Sequence, residues 1–403
     1  MVNDLDDFVA DARAFLERVA KRRNPGASQE TDGDGHSKAL FRGATIDQVR
    51  TAAAWQRQVF DAGYAWITGP VELGGRGLSE AHERAYLTLE RGYDVPSRAP
   101  LSIGLGMVAP IIEEFGTPEI QNRWLVALHR GDAVGCQLFS EPEAGSDLAS
   151  VATTARIRDD GEWLFNGQKV WTSGAHHADV GLAIAKTADE PRYGNLTAFV
   201  IDMQTPGIDV RPLRQMTGGA DFNEVFLDDV AVPDACRLGA VGDGWSVAIA
   251  TLMHERNAVG RPGAGGAGVL RLTSIVEWVR GCEGHDRPEV ADALARVYGG
   301  LTAAKWMRQR SEAAARAGQR PGPEMSLSKL VLTRNLAALS DLVELVLGPQ
   351  LAARTDEPET WEWVEFVLGV PGMRIGGGTD EIQRNIIGER VLGLPKEPKA
   401  GDA

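Results

Sequence analysis

The spacing of apolar residues predicts helices in the first third of this chain. Apolar side chains at helical spacing over residues 5–21 predict an amphipathic helix. Thr45 and Gln48 match a capping box at the start of a second helix. The Thr-Pro-Glu sequence at 117–119 combines an N-cap, a proline at the first helical position and an acid in the first turn. Residues 1–132 are therefore predicted to form an all-α domain.

The pattern changes after residue 132, where short runs rich in β-branched and aromatic residues alternate with turn signals. Such runs at short, regular intervals are typical of a compact β-barrel or sandwich. We therefore expect a middle β domain over residues 133–237. Its expected strands lie within 134–140, 162–173, 180–186, 196–203, 208–213 and 223–232.

Helical periodicity returns in the last part of the chain and predicts a C-terminal α-helical bundle over residues 238–403. The chain as a whole is thus expected to be an α+β multidomain protein with the order α, β, α. The expected helices lie within 245–259, 265–280, 288–318, 325–347, 358–368 and 379–392.

Composition excludes several classes of protein. The formal net charge of −14 argues against a nucleic-acid binder, which needs a basic surface. Three well-separated cysteines indicate neither a disulfide framework nor a zinc cluster. The acidic N-terminus has no secretory signal pattern, and no apolar run approaches the roughly 18 residues of a membrane span. A cytoplasmic protein is the expectation.

Two neighbouring motifs in the β segment suggest a site for a flat heteroaromatic ring. Residues 137–146 (QLFSEPEAGS) begin as a strand and end in a turn of small residues, whose backbone N–H groups suit anionic oxygens. Residues 166–174 (NGQKVWTSG) place the indole of Trp171 beside the hydroxyls of Thr172 and Ser173. Taken alone, the first motif is as well explained by an ordinary strand-ending turn. The two motifs in this order favour a binding site.

A third motif, residues 376–390 (GGGTDEIQRNIIGER), passes from a glycine loop into a helix with Thr379 as its N-cap. The simplest structural interpretation is a hinge before a final helix.

Together these motifs, with 211–218 (RPLRQMTG) and 224–230 (EVFLDDV), resemble the acyl-CoA dehydrogenase family of bacterial, actinobacterial type. The resemblance extends from about residue 45 to 395. It implies an FAD-dependent enzyme that removes hydrogen from the α and β carbons of an acyl-CoA thioester. Expected roles in lipid metabolism and fatty acid β-oxidation follow from the family.

The resemblance also implies positions for the cofactor. Gln137, Phe139 and Ser140 would lie at the flavin pyrimidine edge. Trp171 would cover one face of the isoalloxazine, with Thr172 and Ser173 beside it and Ser173 donating at N5. A further group would contact the phosphate, adenosine and substrate regions, namely Gly145, Ser146, Thr379 and Glu381, with Ser146 also near the thioester arm of the substrate.

The catalytic base expected from the family is missing from its usual place. Many members carry a glutamate two residues before the loop threonine, and here that residue is Gly377. Isovaleryl-CoA dehydrogenase and similar members instead carry Glu-Arg on the first long helix of the C-terminal domain, which matches Glu255 and Arg256. Glu255 is therefore the expected base, Arg256 a CoA-side residue, and the Gly377 backbone N–H a donor to the thioester oxygen. An exposed Glu255–Arg256 ion pair is the structural alternative.

Other candidates favour structural roles. His176 and His177 with Asp179 lack a third spaced ligand, so no metal site is expected. The glycines between 260 and 268 follow a helix and lack the strand context of a nucleotide-binding loop. The glycines at 376–378 and 263–268 leave room for a branched, ring-bearing or sterol side-chain acyl group.

Two further segments depart from the family. The stretches 281–286 and 346–350 are not clear matches to the elements that hold the AMP half of FAD, so a partner chain is a possible source of that half. We expect a homo- or heterotetramer or a dimer, with electron-transfer flavoprotein or a similar acceptor. Two rival functions remain, a non-catalytic or half-site partner subunit and a flavin monooxygenase or oxidase on the same fold.

Overall fold

The computed structural model describes residues 5–23, 38, 40–41, 43–190, 192–259, 270–316, 322–353 and 358–396, without the side chains of 256–259, 315–316 and 358–359. The chain forms two compact units. The first unit consists of residues 1–36, 43–215 and 219–254, and the second of 37–42, 216–218 and 255–403. In the described residues no helix is both long and apolar enough to cross a membrane.

The first unit begins with helices, as the sequence predicts. They are α1 (Leu5–Val19), α2 (Ile46–Asp61), α3 (Glu80–Glu90), α4 (Ala109–Phe115) and α5 (Pro118–Arg130), with two-residue strands β1 (Lys21–Arg22) and β2 (Tyr93–Asp94). The capping box is confirmed, because Thr45 Oγ1 accepts from Gln48 N–H and the Gln48 side chain accepts from Thr45 N–H. Thr117 likewise caps α5. The stacked rings of Tyr64 and Tyr86, 5.1 Å apart, lie in the core of these helices.

The β segment follows in the same unit. Its strands are β3 (Gly135–Leu138), β4 (Thr154–Ile157), β5 (Glu162–Ser173), β6 (Val180–Lys186), β7 (Leu196–Asp202), β8 (Ile208–Leu213), β9 (Phe222–Pro233) and β10 (Arg237–Leu238). They form one eight-stranded sheet in the order β10-β7-β6-β4-β5-β9-β8, with β3 paired to β6. Most pairs are antiparallel, but β6 pairs in parallel with β3 and β4, so the sheet is mixed.

All six predicted strands are present, and two short ones were not predicted. In β4 only Ala155 is buried, so the alternation that identifies a half-buried strand is too short to recognise. Strand β10 has two residues and is fixed by pairing with β7. Both β4 and β10 are defined by pairing with another strand rather than by a local sequence pattern.

The second unit is helical. Helix α6 (Gly244–Val259) enters it at Glu255, and α7 (Leu272–Gly281), α8 (Pro288–Arg316), α9 (Met325–Leu347), α10 (Pro358–Met373) and α11 (Asp380–Ile386) follow, the last continued by a π-helical turn over Ile387–Val391. Helices α7 to α10 share one apolar core that includes Val297, Leu339 and Phe366. The predicted α+β class with a C-terminal helical bundle is confirmed. The domain boundaries at 132 and 237 stay a prediction.

Candidate active site

The first motif forms a tight turn at the end of β3. Glu141 and Ala144 exchange backbone hydrogen bonds of 3.0 and 3.1 Å, which closes the turn. Gly145 and Ser146 follow and are exposed, and a Cβ on Gly145 would meet no atom within 4 Å. The turn therefore presents an open, small-residue surface, as the sequence predicts for a segment that lies against a ligand.

A buried ion pair fixes this turn to the second motif. Lys169 on β5 is fully buried, and its Nζ donates to Glu141 Oε1 at 2.7 Å, to Ile184 O at 2.7 Å and to Phe139 O at 3.2 Å. These three acceptors use all three N–H bonds of the ammonium group. The Glu141 carboxylate also accepts from Thr153 N–H at 3.0 Å. The pair holds the backbone of Phe139 and of the turn at a defined position.

The pair also shifts the ionisation of its members. Burial raises the pKa of Glu141, but the attraction of Lys169 and the hydrogen bonds from Lys169, Thr153 and Ala152 outweigh burial, so the pKa lies below its usual range. Burial lowers the pKa of Lys169, and the Glu141 carboxylate opposes that decrease. Removing either partner would leave the other charge buried without compensation. Neither Lys169 nor the role of Glu141 was predicted, because nothing in the sequence pairs them.

Trp171 lies in a β-bulge. The register of β5 against β9 shifts between Lys169, which pairs with Val225, and Thr172, which pairs with Asn223. Trp171 has φ 59°, a left-handed conformation that is strained for an aromatic residue, and its side chain is 59% exposed. Bulges commonly redirect a side chain beside a functional site. Here the bulge places a large indole at the surface, where a ring could stack on it, and its predicted contact with the isoalloxazine stays a prediction.

The two hydroxyl residues after Trp171 differ in their exposure. Thr172 is buried, and its Oγ1 has no hydrogen-bond partner in the described structure. Its carbonyl accepts from Asn223 Nδ2 at 2.9 Å, and Asn223 Oδ1 lies 3.2 Å from His176 Nδ1. Ser173 is half-buried. The Thr172 hydroxyl is therefore closed off from a ligand at the surface, contrary to the prediction for this residue, whereas the exposed indole, the half-buried Ser173 and the open turn fit a flavin ring with a polar edge.

Three other predicted cofactor residues of the first unit lie on β3 or directly after it. Gln137 is half-buried on β3, Phe139 is 4% exposed, and Ser140 accepts at its carbonyl from Val170 N–H at 2.9 Å. The structure thus joins the ends of β3 and β5 that carry the two motifs.

The third motif forms a glycine loop in the second unit. Gly377 and Gly378 have φ values of 69° and 86°, a region that favours glycine. Thr379 caps α11, accepting from Ile382 N–H at 3.2 Å, as predicted. Glu381 is exposed and paired with Arg384 at 3.0 Å.

Glu255 lies next to this loop within the second unit. A Cβ built on Gly377 would be 3.4 Å from Glu255 Oε1, and Glu255 is half-buried. The carboxylate on the helix therefore lies in van der Waals contact with the point where a side chain at position 377 would begin. Within the described residues the Gly377 N–H donates to no protein acceptor. The side chain of Arg256 and the glycines of 260–268 lie outside the described residues.

Several other candidates have structural partners. His177 Nε2 lies 3.1 Å from Ala44 O, and Asp179 accepts from Val134 N–H at 2.8 Å. No group of three or more metal-ligating side chains is found among the residues described. At 281–286, His285 Nδ1 lies 3.1 Å from Cys282 O, and Gln350 is exposed in a turn after α9.

Most of the chain matches one protein family. The N-terminal, middle and C-terminal domains of acyl-CoA dehydrogenase match residues 41–132, 136–230 and 242–392. The chain belongs to the acyl-CoA dehydrogenase family. It is 39% identical over 402 residues to acyl-CoA dehydrogenase IpdE1 of Mycobacterium tuberculosis (strain ATCC 25618 / H37Rv), with 99% of this chain and 100% of the relative covered.

Solved structures show the same fold. The Tcur3481-Tcur3483 steroid ACAD has a TM-score of 0.74 at 22% identity, covering 98% of both chains. A glutaryl-CoA dehydrogenase from Mycobacterium smegmatis in complex with FADH2 has a TM-score of 0.67 at 22% identity, covering 98% of this chain and 95% of the other. This acyl-CoA dehydrogenase is an oxidoreductase with FAD as its cofactor. The resemblance inferred from the motifs is confirmed.

Proposed function

We propose that this acyl-CoA dehydrogenase removes hydrogen from the α and β carbons of an acyl-CoA thioester, with Glu255 as the base. The observation that carries the proposal is the position of the Glu255 carboxylate, 3.4 Å from the Cβ that a side chain at Gly377 would have. A base needs only to reach the α-proton, so a carboxylate from a helix can replace one from the loop.

Two groups of the chain act on the α carbon and the thioester next to it, one as a proton acceptor and one as a hydrogen-bond donor. The carboxylate of Glu255 accepts the α-proton, a contribution of about 10² to 10⁴ in rate. The backbone N–H of Gly377 donates to the thioester oxygen as negative charge develops there, which contributes about 3–4 kcal/mol. Bound FAD supplies the acceptor for the hydride that leaves the β carbon. Loss of the proton from the α carbon and of the hydride from the β carbon leaves a double bond between these two carbons.

The cofactor is held by residues at the ends of β3 and β5. Trp171 packs on one face of the ring, and Ser173 and the backbone of Ser140 donate at its polar edge. Phe139 and Gln137 support that edge, whereas the Thr172 hydroxyl is buried and does not reach a ligand at the surface. Gly145 and Ser146 face the ribityl-phosphate and thioester arm. Thr379 and Glu381 extend toward the adenosine half, although Thr379 Oγ1 already caps α11.

The substrate is proposed to be a wide acyl-CoA, branched or ring-bearing. Three consecutive glycines at 376–378 present no side chain to the acyl group, and one neighbour in fold is named a steroid ACAD. Arg256 and Ser146 are proposed to contact the CoA portion. Electron-transfer flavoprotein or a similar acceptor would reoxidise the cofactor, and the working form would be a homo- or hetero-oligomer in the cytoplasm.

The decisive experiment is anaerobic flavin bleaching by straight, branched and ring-bearing acyl-CoAs. Wild-type protein is expected to bleach with at least one, and Glu255→Gln to keep its flavin but bleach about 10² to 10⁴ times more slowly. Glu277→Gln, an exposed glutamate on α7, is the matched control and should bleach like wild type. Full-rate bleaching by Glu255→Gln would remove Glu255 from this role.

A further inference from the structure

The glycine loop is closed at both ends by the same pair of residues. Asp380 N–H donates to Arg374 O at 3.0 Å, and Arg374 Nε donates to Asp380 Oδ2 at 3.0 Å. These two bonds join the residue that follows α10 to the first residue of α11. Residues 375–379 therefore form a short closed loop rather than an open hinge.

Two side chains of helix α9 hold the carboxylate of Asp380 in place. The residue is 2% exposed, and its Oδ1 accepts from Thr333 Oγ1 at 2.9 Å and from Lys329 Nζ at 3.3 Å. Lys329 is 8% exposed and also donates to Arg374 O at 3.2 Å. Burial raises the pKa of Asp380, but hydrogen bonds from Arg374, Thr333 and Lys329 and the attraction of Lys329 outweigh burial, and the pKa is lowered.

Gln383, which lies on α11 like Asp380, holds the middle of the loop. It is 1% exposed, and its Nε2 donates to Gly377 O at 2.9 Å and to Gly378 O at 3.4 Å. A Cβ on Gly378 would come within 2.8 Å of that nitrogen, so glycine is needed for this approach. Asp380 and Gln383, three positions apart on one helix, thus act on the same loop.

Three consecutive glycines would otherwise give this loop many conformations. The reaction proposed above needs one conformation, with the Gly377 N–H beside the carboxylate of Glu255. Misplacement of a reacting group by about 1 Å can cost 10²-fold in rate. A fixed loop must therefore come from bonds outside the glycines.

We propose that Lys329, Asp380 and Gln383 are positioning residues that hold the Gly377 amide in place for the reaction, an inference that rests on the proposed function. Lys329 and Asp380 set the ends of the loop through Arg374, and Gln383 sets its middle. None of the three touches the reacting atoms in this role.

A purely structural role for the buried pair is the competing explanation, and the double variant Lys329→Met/Asp380→Leu separates the two. Replacing a buried ion pair by apolar residues often leaves stability unchanged. Thr333 Oγ1 keeps Leu330 O as an acceptor at 3.1 Å, and Arg374 is half-exposed to water. The double variant is therefore expected to unfold at a temperature close to that of wild type.

Two readouts decide the proposal. The amides of Gly376 and Asp380 donate to Gly372 O and Arg374 O, and they are expected to exchange hydrogen about 10 to 100 times faster in the double variant. Flavin reduction by acyl-CoA is expected to slow by about 10- to 100-fold, with a much smaller change in KM. Unchanged exchange and an unchanged reduction rate in a stable double variant would overturn the proposal.

A control variant separates the effect on the loop from general destabilisation, and the exchange readout separates it from failure of the proposed function. Glu90→Gln removes a buried carboxylate that pairs with Arg98 at 2.6 Å in the first unit, and it should lower the unfolding temperature without changing either loop readout. Faster exchange in Glu90→Gln would make the loop effect a general consequence of destabilisation and would overturn the proposal. If none of the acyl-CoAs reduces the flavin of the wild type, the proposed function fails. Hydrogen exchange at the amides of Gly376 and Asp380 then still decides whether the Lys329–Asp380 pair orders the loop.

Discussion

Moving the proposed catalytic carboxylate from the helix to the loop should preserve part of the activity. The Cβ of a residue at 377 would lie 3.4 Å from Glu255 Oε1, so a glutamate at 377 can reach the same space once Glu255 is shortened. Glu255→Ala alone should reduce flavin about 10² to 10⁴ times more slowly than wild type. The double variant Glu255→Ala/Gly377→Glu should recover most of that loss.

The size of the recovery follows from the backbone. Gly377 has φ 69°, and a non-glycine residue there costs roughly 1–2 kcal/mol. If all of this strain weakens the reactive arrangement, the double variant stays about 5 to 30 times slower than wild type. It should still be clearly faster than Glu255→Ala.

Gly377→Glu alone tests whether the two positions share one pocket. Two carboxylates about 5 Å apart repel by roughly 3 kcal/mol at an effective dielectric constant of about 20. Since one pKa unit corresponds to about 1.4 kcal/mol, the pH profile of flavin reduction should move by about 2 units to higher pH.

Anaerobic stopped-flow absorbance gives each rate, using the acyl-CoA that wild type oxidises fastest. The reasoning is refuted if the double variant binds flavin and folds but is no faster than Glu255→Ala, and the Gly377→Glu profile matches wild type. That result would mean that a side chain at 377 and Glu255 do not act at the same carbon.

Three further outcomes follow from the first unit. Trp171→Ala should weaken FAD binding by about 10- to 100-fold, because stacking on an aromatic ring contributes about 1–3 kcal/mol, and flavin titration of apoprotein measures this. Glu141→Gln should cost about 3–5 kcal/mol at pH 7, since Lys169 then stays buried without its partner. Because the folded pKa of Glu141 is lowered, wild type should lose stability as the pH falls below the unfolded value of about 4.3, and Glu141→Gln should lose less. Urea unfolding at pH 7 and at about pH 3 measures this difference. Thr45→Ala should cost about 1 kcal/mol through loss of the capping box with Gln48, measured by thermal unfolding.

Local signals predicted most of the secondary structure. The caps at Thr45 and Thr117 depend on residues within one turn of the helix, so the sequence contains the whole interaction. The strand over 162–173 was predicted with its bounds, but the bulge at Trp171 was not, because it requires the register of β9. Strands β4 and β10 were missed for the same reason, since pairing with distant strands defines them.

The site was predicted in part. The motifs located the turn at 137–146 and the exposed indole of Trp171, and the family and its cofactor are confirmed. Glu255 as the replacement for a base at position 377 stays a prediction. The individual roles of these residues stay predictions. The buried ion pairs that hold these motifs, Lys169–Glu141 and Lys329–Asp380, were not predicted. An acid in the first turn of a helix, such as Asp380, is already explained by its favourable interaction with the helix end, so the sequence gives no reason to look for a partner.

By itself the sequence determined most of the segments that fold as helices and strands, the family and the place where the usual base is missing. Only the tertiary structure decided which charges meet. The chain has 56 acidic and 42 Lys or Arg residues, and no local pattern chooses Lys169 for Glu141 or Lys329 for Asp380. Those choices depend on packing between segments far apart in the chain, because a buried charge is tolerated only where the fold brings its partner within hydrogen-bonding distance.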